Sequence, residues 1–104
     1  MFKPNDYFNE DYYERGAETG KSLYSHYRWM PELTIPMAHH IIHTTATMTM
    51  GRDKVLDFGC AKGYLVYALR LLGYDPYGVD VSEYAIKNCQ HEVAEYLETV
   101  APLD

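Results

Sequence analysis

Two acids and a glycine-bearing turn are the residues of this chain whose types and spacing can do chemistry: Asp57, then Gly59-Cys60-Ala61-Lys62-Gly63, then Asp80. Glycine at 59 and at 63 lets the backbone approach a ligand to contact distance, and the amides there are expected to point at it. Asp80, where the following apolar run ends, is placed to accept hydrogen bonds from both hydroxyls of an adenosine ribose. Asp57 discriminates between ligands. An acid inside an apolar run is costly to bury unless it serves amides or a cation, so it repels a pyrophosphate and suits a ligand carrying an ammonium and a sulfonium. The spacing points the same way, because dinucleotide sites use Gly-x-Gly-x-x-Gly and this chain has Gly59-x-Ala61-x-Gly63. Ala61 in the middle position is tolerable where the backbone φ is negative.

The elements that must hold these residues are legible around them. Val55, Leu56, Asp57 and Phe58 form a short strand-like run, and Leu65, Val66, Ala68, Leu69 and Leu72 recur at helical spacing until Gly73. After a Tyr-Asp-Pro turn, Tyr77-Gly78-Val79-Asp80-Val81 reads as a second strand. The unit is therefore a strand-helix-strand crossover with parallel strands, which places Asp57, the turn and Asp80 on the carboxyl rim where open sheets bind ligands. Before it, Thr34 is expected to cap a helix with Pro36 near its first turn and Met37, Ala38, Ile41, Ile42 and Ala46 on its apolar face, ending at a turn over 51–53. His39 and His43 share a face of that helix, but no third ligand is placed near them, and solvated histidines are the better reading. After it, Ser82 caps a last helix whose stripe runs through Ala85, Ile86, Cys89, Val93, Ala94, Leu97 and Val100 to Ala101-Pro102.

Residues 1–33 hold most of the aromatics, among them Tyr7, Phe8, Tyr12, Tyr13, Tyr24, Tyr27 and Trp29, mixed with acids. They read as an arm of short helices packing its rings on the main body. A sharper alternative has part of the arm closing over a ligand, with Tyr24, Tyr27, Arg28 or Trp29 at the edge. The expected division is an aromatic N-terminal arm over 1–33 and a ligand-binding α/β domain over 34–104.

Composition narrows the classes. A chain of 104 residues with 47% apolar residues has room for one small domain, and its apolar runs are too short to cross a bilayer. The N-terminus is acidic and aromatic, unlike a signal peptide, and two cysteines fit neither a disulfide framework nor a metal motif, so a reducing cytoplasm is the default. A formal net charge of −6 without a basic stripe disfavours nucleic acid.

The stretches VLDFGCAKGYLVYAL and YGVDVSEYAI resemble the first and second sequence motifs of class I S-adenosylmethionine-dependent methyltransferases. The resemblance implies an α/β, Rossmann-like three-layer sandwich, here incomplete: a β-α-β unit preceded by the helical arm and followed by one helix. It also implies S-adenosyl-L-methionine as cofactor. Gly59, Cys60, Ala61 and Gly63 would lie against its methionine part and ribose, Asp57 would organise that loop and the cofactor's amino group, Asp80 would hold the ribose hydroxyls, and Val81 would pack on the adenine. The family's domain continues through more strands, with a third expected to begin near Leu103-Asp104. The chain therefore reads as the N-terminal, cofactor-binding half of a methyltransferase acting on a small molecule, inactive by itself and with no catalytic residue assignable. A missing C-terminal half or a second copy would cover the sheet. The alternatives are a non-catalytic binding module that keeps the cofactor turn and, more remotely, half of an NAD-type oxidoreductase.

Overall fold

The computed structural model describes residues 3–24, 27–49 and 54–101, with side chains for all of these but 45–49. Three short helices open the chain: α1 (Pro4–Tyr7), α2 (Glu10–Glu14) and α3 (Gly16–Thr19). Proline at the start of α1 and the Asn9 side chain accepting the Tyr12 amide at the start of α2 set where each begins. Tyr7 remains exposed, but the ring of Tyr13 is turned inward. Tyr13 is buried and lies within 6.0 Å, centroid to centroid, of Tyr12, Tyr24, Tyr27 and Tyr84.

Helix α4 (Pro31–Thr49) starts earlier than the sequence indicates. The Met30 carbonyl takes the first amides, from Leu33 and Thr34, so Thr34 lies inside the helix and caps nothing. Pro36 consequently sits past the first turn, where its missing N–H leaves the Glu32 carbonyl without its usual partner. Of the expected apolar face, Ala38 and Ile42 are buried against Ala68 and Leu69, whereas Met37 is exposed and the side chain of Ala46 lies outside the described residues. The expected turn over 51–53 and the helix-ending Pro102 lie outside the described residues.

The crossover forms as read. Strand β1 (Val55–Phe58) and strand β2 (Pro76–Asp80) pair in parallel with Asp57 opposite Gly78, and helix α5 (Tyr64–Leu71) joins them. The helix is stopped at Gly73, φ +90°, in a left-handed terminus. There the Tyr74 amide reaches back to the Leu69 carbonyl and the Gly73 amide to that of Arg70, satisfying carbonyls the helix would otherwise leave open. Two faces of α5 are used. Ala68 and Leu69 meet α4, while Val66 joins Cys60, Val93 and Leu97 in a second cluster.

Beyond Ser82 the chain departs from the expected single helix. Helix α6 (Glu83–Lys87) is one turn long, a 3-10 segment covers His91–Tyr96, and Leu97–Thr99 forms a third parallel strand, β3, giving the order β1-β2-β3. The apolar positions 85, 89, 93 and 97 do fit a helical period, but two tertiary contacts outweigh it. The Lys62 carbonyl captures the Gln90 amide, and the open edge of β2 takes up Leu97-Glu98-Thr99, with Leu97 opposite Gly78. The third strand thus arrives before residue 100 rather than after it.

The sheet is covered on one face only. On the other, Leu56 and Phe58 are 61% and 65% exposed, beside Tyr77. A parallel sheet is stable when both faces are buried, so the described chain is an incomplete Rossmann-like α/β fold. No helix among the described residues is long and apolar enough to cross a membrane.

Candidate functional site

At the carboxyl ends of β1 and β2 the chain makes a tight turn. Gly59 and Gly63 have left-handed φ values of +89° and +81°, and Ala61 lies between them at +52°. The sequence reading required a negative φ at Ala61. The structure overturns this, and its cause is visible: only with residue 61 turned over does its amide face Asp80, whose Oδ2 accepts it at 2.7 Å. The other carboxylate oxygen accepts the Ser82 amide at 2.8 Å. Asp80 therefore clamps the turn to the start of α6. Each carboxylate oxygen has two acceptor sites, so one on each remains for a ligand.

The glycine amides do not point at a ligand. Gly59 and Cys60 both donate to the Val79 carbonyl, at 2.8 and 3.0 Å, and Gly63 donates to the Cys60 carbonyl at 2.9 Å. Turn amides left open beside a strand end would lose solvation, and β2 supplies the acceptor. The two glycines also differ in surroundings. A Cβ built at Gly59 meets nothing within 4 Å, whereas one at Gly63 lies 2.6 Å from Leu97 Cδ1 and 3.2 Å from Val93 Cγ2. Gly63 makes room for the protein's own core. Gly59 leaves space unfilled.

That space belongs to a crevice of about 270 Å³ lined by Gly59, Ala61, Asp80 and Val81 on one side and by Phe8, Tyr12, Tyr13 and Tyr24 on the other. Four of the seven residues singled out in the sequence meet here. Cys60 does not: it is buried beneath the turn in the cluster with Val66, and burial, reinforced by Asp57 and Asp80, pushes its thiol up to about 12, away from the thiolate form. Gly63 lies behind the turn, and Asp57 does not line the crevice. Asp57 is half-buried in β1, and burial, then the neighbouring Asp80, raises its carboxyl above the ordinary carboxylate value. The two acids thus sense one another across the turn.

Phe8, Tyr12 and Tyr13 are the wall residues that the sequence assigned to packing. Of the expected edge residues, Tyr24 is at the crevice, whereas Trp29 packs against Tyr67 and Tyr64 on α5. The pairing of Phe8 with Tyr12 at helical spacing was the available signal. Burial raises the hydroxyl pKa of the wall residue Tyr13 and of Tyr27 behind it, so both rings stay neutral. Tyr24 also borders a larger cavity of about 410 Å³, whose walls include Leu23, Met30, Leu33 and Met37 with Arg28 among them.

His39 and His43 are exposed on α4. Among the described residues no group of three or more His, Cys, Asp or Glu side chains could hold a metal ion.

The crevice can take a planar group between rings and a diol on Asp80, and the side chains lining it include no cation. No curated protein and no solved structure matches the chain. The family model described as "Tellurite resistance protein TehB" matches residues 25–102, which takes in α4, the crossover, the turn, Asp80 and β3. The chain belongs to the TehB family of S-adenosylmethionine-dependent methyltransferases.

Proposed function

We propose that this chain binds S-adenosyl-L-methionine in the crevice between the turn and the N-terminal rings, as the cofactor-binding portion of a methyltransferase whose acceptor is a small molecule. Asp80 carries the reading. Its carboxylate is already oriented by the Ala61 and Ser82 amides, at 2.7 and 2.8 Å, and keeps acceptor capacity facing the crevice, the arrangement a ribose diol needs. The unfilled space over Gly59 admits the ligand's body against the backbone. Val81 offers an apolar surface to the adenine, and Tyr12, Tyr13 and Tyr24 present aromatic groups that favour a sulfonium over a neutral thioether. Asp57 acts from beneath the turn, through the field it shares with Asp80, and favours a ligand with positive charge. Cys60 and Gly63 serve by shaping the turn rather than by touch.

The cofactor, when bound, supplies an activated methyl group; the protein's part is alignment and exclusion of water. The larger cavity, which shares Tyr24 as a wall residue with the crevice, has the size and apolar lining of a small-molecule site and is where we place the acceptor. The bare sheet face of Leu56, Phe58 and Tyr77 requires a cover, which we assign to further chain of the same enzyme or to a second copy. An NAD-type reading is disfavoured, because the lining of the crevice includes no cation to meet a pyrophosphate and two acids lie close by.

Calorimetry with S-adenosylhomocysteine and S-adenosylmethionine tests the proposal. Both should bind, the sulfonium form more tightly, and Asp80→Ala should weaken each by about tenfold or more, since a hydrogen bond to a charged acceptor contributes roughly 1.5–3 kcal/mol. Binding of NADH in preference to both would reject it.

A further inference from the structure

Lys62 is the one lysine buried among the described residues, 7% exposed although it stands in the turn. Its side chain does not enter the crevice. It runs under the N-terminal helices, where Nζ donates to Glu14 Oε1 at 2.8 Å and to the Tyr27 carbonyl at 3.3 Å and lies within 6 Å of the ring centroids of Tyr27 and Tyr84. Glu14 is itself mostly buried, so both charges are removed from water, a costly arrangement unless each is held by further partners. The Tyr64 hydroxyl adds a second donor to the Tyr27 carbonyl at 3.2 Å, and the Tyr27 amide donates to the Tyr13 carbonyl at 3.0 Å. One ammonium thus joins the two limbs of the N-terminal segment, at Glu14 and at Tyr27, to the turn beside Gly63.

Those limbs carry three of the four aromatic wall residues of the crevice: Tyr12 and Tyr13 beside Glu14, and Tyr24 stacked among Tyr13 and Tyr27. A second fastening holds the near end, where the Ser82 hydroxyl donates to the Phe8 carbonyl at 2.6 Å and the Glu83 amide to Asn5 Oδ1 at 2.8 Å. From this geometry we infer that Lys62 is a positioning residue: its ion pair with Glu14 seats residues 3–24 as the outer wall of the crevice, so that seating and ligand binding are coupled. The inference rests on the crevice being the cofactor site. Because Tyr13, Tyr24 and Tyr27 contact one another, unseating at Glu14 displaces the Tyr12, Tyr13 and Tyr24 part of the wall while leaving the turn's own bonds to Val79 and Asp80 in place. A ligand held between the two sides has the converse effect and tightens the segment.

The experiment uses the full chain with Lys62→Met, which keeps the buried stem and removes the charge, and Glu14→Gln, which removes its partner's charge. Affinity for S-adenosylhomocysteine is measured by calorimetry, and amide exchange is followed at Tyr13 and Tyr27 in the N-terminal segment and at Gly59 and Cys60 in the turn. Each variant is expected to lose about tenfold in affinity and to exchange at least tenfold faster at Tyr13 and Tyr27, with Gly59 and Cys60 unchanged; in the parent chain the ligand should slow exchange at Tyr13 and Tyr27. Faster exchange in the segment with affinity unchanged would overturn the inference, because the segment would then not be a wall. So would equal acceleration at Gly59 and Cys60, which would make Lys62 a support of the turn itself. A parent chain that binds no S-adenosylhomocysteine counts against the proposed function, while unchanged exchange at Tyr13 and Tyr27 in both variants rejects the Lys62 assignment on its own.

Discussion

Gly59 and Gly63 stand at the two ends of one turn in nearly the same left-handed conformation, yet a methyl group added to the first meets open space and one added to the second meets Leu97 and Val93. The front of the turn is kept empty and the back is filled. Ala61 sides with the front, lining the crevice and tied to Asp80, and Cys60 sides with the back, buried against the same cluster as Leu97. A glycine motif therefore combines two demands that the sequence does not separate: backbone exposed to a ligand, and backbone pressed against its own core.

The largest expected effect breaks the back. Gly63→Ala combines the cost of a side chain in left-handed backbone with the displacement of a packed leucine, together about 2–4 kcal/mol, and should lower the midpoint of urea unfolding sharply. Gly59→Ala bears only the backbone cost, about 1–2 kcal/mol, but places its methyl in the crevice, so its loss of S-adenosylhomocysteine affinity should exceed its loss of stability. Equal effects of the two substitutions on stability and on binding would erase the distinction between front and back.

Asp57 sharpens the comparison from beneath. Its carboxyl is raised above the ordinary 3.8 by burial and then by Asp80, so the folded state holds this proton more tightly than the unfolded chain does. Between the unfolded and the folded pKa, stability falls as pH rises, and at neutral pH the charged carboxylate is a net cost to the fold. Asp57→Asn should therefore raise the melting temperature at pH 7, with the gain over the parent shrinking toward pH 4. It should also weaken S-adenosylmethionine binding by several-fold, because the cation loses a favourable charge. A lower melting temperature at pH 7 would mean that the carboxylate serves the fold rather than the ligand.

What could be read from the residues follows from the range of the forces involved. The crossover was legible because strand, Gly73 stop and second strand are local signals, and the carboxylate pair because acids inside apolar runs are rare unless used. Strand β3 was hidden, since positions 85 through 97 keep a helical period and the edge of β2 that captures Leu97 is a tertiary fact. The start of α4 was misplaced for a simpler reason: Pro31 can open a helix as well as Thr34 can cap one, and the Met30 carbonyl decided it. Phe8, Tyr12 and Tyr13 read as packing residues, which they also are. The place of Tyr12 and Tyr13 on the crevice depends on Lys62 reaching Glu14 across 48 positions of chain, and that of Phe8 on Ser82 reaching its carbonyl, pairings that no local pattern announces.

The smallest effect is expected at Ala61, and it probes how the front is held. Its φ of +52° costs an alanine about 1 kcal/mol more than a glycine, and glycine returns part of that by freeing the unfolded chain. Ala61→Gly should then stabilise by about 0.5 kcal/mol, a rise in melting temperature of about 2–4 °C for a domain of this size, with affinity unchanged because the amide that Asp80 accepts is retained. Were the backbone at 61 in the negative-φ region, the same substitution would lower the melting temperature, and the amide would turn away from Asp80. The carboxylate would then be free to swing, and the diol site would lose the preorganisation on which its affinity depends. A shift of a few degrees thus reports whether the turn is held ready for a ligand by the strained conformation of a single alanine.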